Sequence, residues 1–125
     1  GAFFAFIKLN KTAEGEPHQA ILSALGTEFY TKYVVVVDED IDIFNINDVM
    51  WAIATRVRAE ADIVFIPGSK GAVLDPTSDP KTFTVTKMGI DATRPLSQDF
   101  AERLTISEKQ RARVRNILET AGIKL

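Results

Sequence analysis

The sequence predicts a layered α/β domain with a mixed, largely parallel sheet flanked by helices and followed by a C-terminal helix. Residues 33–43 read YVVVVDEDIDI, and four consecutive valines are typical of a central strand that is buried on both faces. Strand and helix patterns alternate along the first half of the chain, which favours a layered α/β fold. A capped amphipathic pattern near the end of the chain predicts the terminal helix.

Apolar periodicity defines the elements before the valine strand. Residues 3–9, FFAFIKL, predict a first strand. Residues 17–26, PHQAILSALG, have apolar positions at helical spacing and predict a helix. Pro17 suits the first turn of that helix and Gly26 can end it.

A second helix is predicted after the acidic residues that follow the valine strand. Asn45 or Asn47 can cap its N-terminus, and Asp48 in the first turn is favourable to the helix dipole. Helical spacing predicts that one face of this helix is buried. The residues of that face are Val49, Met50, Ile53, Ala54 and Val57.

Short strands and one long loop are predicted between the second helix and the terminal helix. Residues 63–66, IVFI, predict another buried strand, which the Pro-Gly pair at 67–68 stops. Residues 68–80 are rich in Gly, Ser, Asp and Pro and predict a loop. Residues 83–85 predict a further strand before residues 87–91, KMGID.

The terminal helix is predicted to start at Ser107. Ser107 and Gln110 form a capping-box pattern, and Gly122 can end the helix. The predicted buried stripe of this helix consists of Val114, Ile117, Leu118 and Ala121.

Length and composition indicate a soluble globular domain. The 125 residues are 46% hydrophobic and 26% charged, so we expect a single domain over 1–125, with an α/β core at 1–94 and a tail and helix at 95–125. The net charge of −2 gives no electrostatic reason to expect nucleic acid as a partner. No apolar stretch is long enough to predict a membrane span, and the lack of cysteine favours a cytoplasmic location.

The start of the chain suggests that it belongs to something larger. It begins at Gly1 without an initiator Met and continues directly into an apolar strand. We therefore expect a fragment, a processed product or one subunit of a larger assembly.

The acidic residues after the valine strand have two possible roles. Asp38 and Asp40 have the Asp-x-Asp spacing with which nucleotide-sugar glycosyltransferases hold a divalent cation. That fold requires a considerably longer chain, and acidic residues commonly close strands. Hydrogen bonding within the loop and capping of the next helix are therefore the favoured interpretation.

Other residues give weak signals for chemistry. The segment 67–71, PGSKG, offers backbone amides and Lys70 to an anion, but it lacks the spacing of a P-loop, and an exposed turn is the favoured interpretation. His18 is the sole histidine, and the chain has no cysteine. We can therefore propose no pair of nucleophile and base.

Four segments together resemble the C-terminal domain of the UbiD family. They are KYVVVVDEDIDIFNINDVMWAIATRV at 32–57, ADIVFIPG at 61–68, VLDP at 73–76 and TKMGIDAT at 86–93. The UbiD enzymes are reversible (de)carboxylases of aromatic and α,β-unsaturated acids, and they use prenylated FMN. The order and spacing of the four segments make the combination more specific than any single motif.

The resemblance implies that the chemistry lies outside this chain. In the family, a Glu–Arg–Glu (or Asp) network and the prenylated FMN, with a divalent metal and potassium, belong to upstream domains. No catalytic, cofactor or metal residue is therefore predicted here. The implied partners are the flavin-binding domain or subunit of the same enzyme, further copies in a homo-oligomer, and an aromatic or unsaturated carboxylic acid. We expect an assembly and substrate-capping domain that is inactive alone.

The resemblance also implies one candidate pocket residue. In related enzymes a hydrophobic residue of the loop after the third strand lines the substrate pocket. The matching position is Leu74, with Ala72 and Val73 as neighbours. Ordinary packing of Leu74 within the loop is an equally open interpretation.

The resemblance assigns the acidic residues an architectural role. Asp38, Asp40 and Asp42 match positions that shape the connection from strand to helix, and the first two can accept hydrogen bonds from nearby amides or from Arg56. Asp91 is expected to do similar work. The alternatives are a small metal-dependent nucleotide-sugar transferase that uses Asp38 and Asp40, and a free-standing interaction module.

Overall fold

The computed structural model describes residues 3–97 and 108–122, in which strands and helices alternate. In chain order the elements are β1 (Phe4–Leu9), α1 (Glu16–Thr27), β2 (Tyr33–Asp38), α2 (Ile46–Arg56), α3 (Ala59–Asp62), β3 (Ile63–Lys70), β4 (Thr84–Ala92) and α4 (Glu108–Thr120). The strands form one sheet in the order β1-β2-β4-β3. Strands β1, β2 and β4 are parallel, and β3 is antiparallel to β4. The predicted α/β layered fold with a largely parallel sheet and a terminal helix is confirmed.

Strand β2 is buried on both faces, as its valines predict. Val34 and Val36 pack on the side of α1, whereas Val35 and Val37 pack on the side of α2. The helix residues in these clusters include Ile21 and Leu25 of α1, and Val49 and Ala52 of α2. Burying one such valine contributes about 1.5–3 kcal/mol. The central strand therefore fixes one helix on each face of the sheet.

The first helix forms where it is predicted, with one difference at its end. Pro17 lies in the first turn and is buried, as its restricted φ favours. Gly26 does not end the helix, which continues to Thr27 and leaves helical geometry at Glu28. The Thr27 hydroxyl donates to the carbonyl of Ser23, so a side chain satisfies part of the C-terminal turn.

The second helix has the predicted cap but a different buried face. Asn45 is the N-cap, and its side chain accepts a hydrogen bond from the amide of Asn47. The predicted burial of Met50 and Ala54 is wrong, because Met50 is 54% exposed and Ala54 is also exposed. The residues of this helix that are buried are Asp48, Val49, Ala52 and Arg56. Asp48 and Arg56 make polar contacts within the fold and are therefore buried. The buried face of the helix is consequently rotated from the face that hydrophobicity predicts.

Strand β3 differs from the predicted buried strand in length and in burial. It continues through Pro67 and Gly68 to Lys70, and Phe65 is 64% exposed. A register shift between Ile66 and Ser69 accommodates the proline. A strand at the edge of a sheet has one unpaired side, where the missing N–H of a proline is tolerated. The strand predicted at 83–85 overlaps the start of the longer strand β4, which also contains residues 87–91.

Helix α4 does not bury its predicted apolar stripe within the described chain. Gly122 follows the helix with a φ of 79°, as expected of a C-terminal glycine, whereas Ser107 lies outside the described residues. The side chains predicted to be buried are exposed or half-buried: Val114, Ile117, Leu118 and Ala121. Periodicity predicts the amphipathic face but not whether the same chain covers it.

Of the helices in the described ranges, none has the length and apolarity needed to cross a membrane.

Replacing Gly89 with Ala is expected to destabilise the domain by about 1–3 kcal/mol, the usual cost of overpacking. A Cβ at this position of β4 would collide with Cγ2 of Ile21 and lie 3.0 Å from its Cδ1, and Ile21 is fully buried. Gly26→Ala is the matched control, because no atom lies within 4 Å of its added Cβ and helix propensity favours Ala. Urea denaturation measures both variants, and equal stability of the two would contradict this packing.

Candidate functional site

The sequence-predicted residues lie at opposite ends of the sheet. Asp38 ends the parallel strand β2, and Asp40 follows it. Because β3 is antiparallel to β4, the loop after Lys70 lies beside the start of β4 at Thr84, where the two residues pair. The acidic residues therefore lie at the carboxyl end of the parallel strands, and the loop that contains Leu74 lies at the amino end.

Arg56 connects the two acidic residues to helix α2. Its Nη1 donates to Asp38 Oδ2 at 2.8 Å and to Asp40 Oδ1 at 2.9 Å, and its Nη2 donates to Asp40 Oδ2 at 2.7 Å. Arg56 is only 4% exposed. The hydrogen bonds from Arg56 lower the pKa of Asp40, and the same contacts raise the pKa of Arg56. The predicted hydrogen bonding of Asp38 and Asp40 with Arg56 is confirmed.

Acidic residues at this end of the sheet also accept hydrogen bonds from the backbone of the loops. Asp38 Oδ2 also accepts the amide of Arg94 at 2.9 Å, which fixes the segment after β4. Asp91 Oδ1 accepts the amide of Thr93 at 3.0 Å and its hydroxyl at 2.6 Å. Asp42 Oδ1 accepts a hydrogen bond from the amide of Phe44, in its own turn, at 2.9 Å. These contacts agree with the architectural role that the family resemblance implies.

The acidic residues do not fit a metal centre. Asp38 and Asp40 share the guanidinium of Arg56, so a divalent cation between them would face a fixed positive charge. Within residues 3–97 and 108–122, no group of three or more His, Cys, Asp or Glu side chains is arranged to hold a metal ion. The geometry therefore gives no support to the transferase alternative.

An open pocket of about 600 Å³ lies at the amino end of the parallel strands. Its walls include Phe29, Tyr30, Phe83, Val73 and Leu74. Val73 and Leu74 project from the loop and are 75% and 83% exposed, respectively. The third residue of the predicted set, Ala72, is buried beneath the loop and is not part of the wall.

A buried ion pair holds the base of this loop. Lys32 Nζ lies 3.0 Å from Asp75 Oδ2, and Asp75 Oδ1 accepts the amide and hydroxyl of Thr77 at 2.8 and 2.7 Å. Hydrogen bonds from Thr77, together with that from Lys32, lower the pKa of Asp75. The amide of Gly71 donates to the carbonyl of Phe83 at 2.8 Å and closes the loop. Val73 and Leu74, at the tip of the loop, therefore project from a base that these contacts hold in place. No local sequence pattern predicts the contacts.

A second apolar surface lies on the sheet face that α2 covers in part. We call it the sheet-face groove; it has a volume of about 480 Å³ and is lined by Phe4, Phe6, Tyr33, Val35, Ile46, Val49, Met50, Ile53, Met88 and Ile90. Phe4 is 53% exposed and Met50 is 54% exposed. The exposure of Met50 differs from the burial that helical spacing predicts for it.

Comparison with known families gives an independent description of the chain. Residues 1–92 match the family model described as the 3-octaprenyl-4-hydroxybenzoate carboxy-lyase C-terminal domain, UbiD_C. This match covers β1 to β4 and thus the whole sheet. It confirms the resemblance that the four sequence segments carry.

Individual relatives are decarboxylases. The chain is 47% identical over 107 residues to anhydromevalonate phosphate decarboxylase of Methanocaldococcus jannaschii, covering 84% of this chain and 25% of that protein. It is 38% identical over 105 residues to gallate decarboxylase of Lactiplantibacillus plantarum, covering 77% and 21%. The structure of HmfF from Pelotomaculum thermopropionicum in complex with FMN is similar with a TM-score of 0.79 and 37% identity, covering 92% and 26%. The chain thus spans at most about a quarter of these proteins.

Replacing Arg56 with Met is expected to destabilise the domain by about 3–5 kcal/mol, because it removes the buried cation closest to Asp38 and leaves only Arg94, at 3.8 Å, beside that carboxylate. Arg58→Met is the matched control. Arg58 is largely exposed and lies 3.8 Å from Asp62, so its loss should change the free energy of unfolding by no more than about 0.5 kcal/mol. Similar losses in the two variants, measured by chemical denaturation, would show that the Arg56 network is not structural.

The stability difference between the wild type and Asp40→Asn is expected to shrink as the pH falls below about 4. Arg56 lowers the pKa of Asp40 in the folded state. The ionised carboxylate therefore stabilises the fold above the unfolded pKa, and this contribution is lost as the pH falls through the folded value. Unfolding curves recorded between about pH 7 and 2.5 measure the difference, and a constant gap over that range would rule out the linkage.

Proposed function

Since this chain belongs to the UbiD family and corresponds to its C-terminal domain, we propose that it caps the substrate side of a prenylated-FMN-dependent decarboxylase and takes part in its assembly. Its relatives are decarboxylases. In this proposal the reaction takes place on the flavin-binding part of the enzyme, and this chain shapes the cavity in which the acid lies.

The observation that carries the proposal is the exposure of two aliphatic side chains on a loop with a fixed base. Val73 and Leu74 are 75% and 83% exposed, although the loop beneath them is held by the buried Asp75. Exposed apolar side chains that are rigidly presented indicate a surface that another surface covers. Leu74 is also the position that the family resemblance assigns to the substrate pocket.

The pocket around Leu74 suits an acid with a flat or unsaturated apolar body. The rings of Phe29, Tyr30 and Phe83 form walls that exclude water when a partner closes the open side. Prenylated FMN, when bound to the parent enzyme, supplies the electron sink for the loss of CO2. The contribution of this chain is to orient the acid and to keep water away.

The sheet-face groove and helix α4 support a role in assembly. Phe4, Met50 and Phe65 are each more than half exposed on or beside this sheet face, and Ile117 of α4 is 62% exposed. Apolar surface of this kind is stabilised when a second domain or a further copy of the chain covers it. We therefore propose the flavin-binding domain or subunit and further copies of the same protein as partners.

The parent enzyme is proposed to act on an aromatic or α,β-unsaturated carboxylic acid. The relatives' names include both a phosphorylated acid and gallate. A divalent metal and potassium are proposed to accompany the flavin in the parent enzyme, outside this chain. The cysteine-free composition supports a cytoplasmic location.

In the full-length holoenzyme, Leu74→Asp is expected to lower kcat/KM for the acid substrate by about 10-fold or more, the equivalent of one apolar contact. The new carboxylate would also repel the carboxylate of the substrate. Leu22→Asp is the matched control, since Leu22 is 49% exposed on α1 and does not line the pocket. Decarboxylation kinetics with equal flavin content measure the effect, and the proposal fails if the two variants have the same kcat/KM.

A further inference from the structure

Lys70 carries a positive charge at the rim of the pocket that contains Leu74. It is the last residue of β3, it is exposed, and it lines the pocket together with Phe29 and Val73. Its Nζ lies 5.0 Å from the centroid of the Phe29 ring. This cation–π contact holds the ammonium group beside the pocket.

The charge of Lys70 has no carboxylate partner within the described residues. Lys32 and Lys87, which lie at the same end of the sheet, are engaged: Lys32 pairs with Asp75, and Lys87 donates to the carbonyls of Glu28 and Phe29 at 3.1 and 3.2 Å. By contrast, no ion pair of Lys70 occurs in residues 3–97 and 108–122. An anion that enters the pocket therefore meets a cation that has not already been neutralised.

The backbone of the same segment does not provide the anion cradle that its sequence suggests. The amide of Gly71 donates to the carbonyl of Phe83, and the hydroxyl of Ser69 donates to the carbonyl of Ile66. These groups are used within the fold. Recognition of an anion here thus falls mainly on the Lys70 ammonium.

From this juxtaposition we propose that Lys70 binds the phosphate group of a phosphorylated unsaturated acid. The inference rests on the proposed function and deepens it: a relative's name already includes a phosphorylated acid, and the new element is the residue that binds its phosphate. The apolar walls around Leu74 take the hydrocarbon body, and Lys70 takes an anionic end. Because the carboxylate that leaves as CO2 must face the flavin, the anion at Lys70 is a second one. A phosphate ester supplies such a group and forms charge-assisted hydrogen bonds with lysine.

The flavin also carries a phosphate, so the test separates the two sources. The full-length protein is purified with its prenylated FMN as wild type, Lys70→Met, Lys70→Arg and Lys8→Met. Lys8 is an exposed lysine of β1 that does not line the pocket, and it serves as the matched control. For each protein, KM and kcat are measured with the phosphorylated acid and with its unphosphorylated counterpart, and the flavin content is measured by absorbance.

We expect Lys70→Met to raise KM for the phosphorylated acid by about 10- to 100-fold, which corresponds to one lost charge-assisted hydrogen bond. Flavin content should stay unchanged, and KM for the unphosphorylated acid should rise much less, because that acid has no phosphate group for Lys70 to bind. Lys70→Arg should retain most of the affinity, and Lys8→Met should behave as the wild type.

Three results would overturn the inference while the proposed function stands. They are an unchanged KM in Lys70→Met, a wild type that decarboxylates acids but prefers the unphosphorylated form, and a loss of flavin from Lys70→Met at an unchanged KM. The last result would assign Lys70 to the phosphate of the cofactor. A wild type with bound flavin that decarboxylates no acid would instead remove the proposed function itself, and the inference with it.

Discussion

Burial of strand β2 on both faces is the constraint on which the rest of the structure depends. Four valines in succession leave neither face of the strand for solvent, so one helix must cover each side. The run ends at Asp38, whose charge lies at the border of the core. Arg56 compensates that charge and at the same time fixes α2 against the sheet. One apolar strand thus accounts for the layers and for the buried ion pair at its end.

The apolar pocket and the acidic residues lie at opposite ends of the sheet from those that the usual pattern of open α/β sheets predicts. Ligands of such folds commonly bind at the carboxyl ends of the parallel strands. Here Arg56 with Asp38 and Asp40 fills that edge. The apolar pocket opens at the amino end instead, because the antiparallel strand β3 brings the loop with Leu74 there. An acidic end of a buried strand is therefore a guide to architecture in this domain.

Local and short-range features of the fold could be predicted from the sequence. The valine strand and the Asn45 cap depend on residues that are near one another in the chain, whereas the hydrogen bonds of Arg56 are indicated by the family resemblance. The exposure of Met50 and the pairing of Lys32 with Asp75 depend on elements far apart in sequence. The periodicity of a single element does not predict such contacts. The apolar stripe of α4 shows the same limit, since a pattern identifies an amphipathic face but not its partner.

Pro67 has a consequence for how copies of this domain can meet. It interrupts the outer edge of β3, where the register shifts between Ile66 and Ser69. A proline offers no donor, so a strand of another molecule cannot continue the hydrogen-bond ladder past this point. The sheet is thereby protected against edge-to-edge polymerisation on that side. Past this point, a contact between this edge and another molecule depends on side chains and not on a continued backbone ladder.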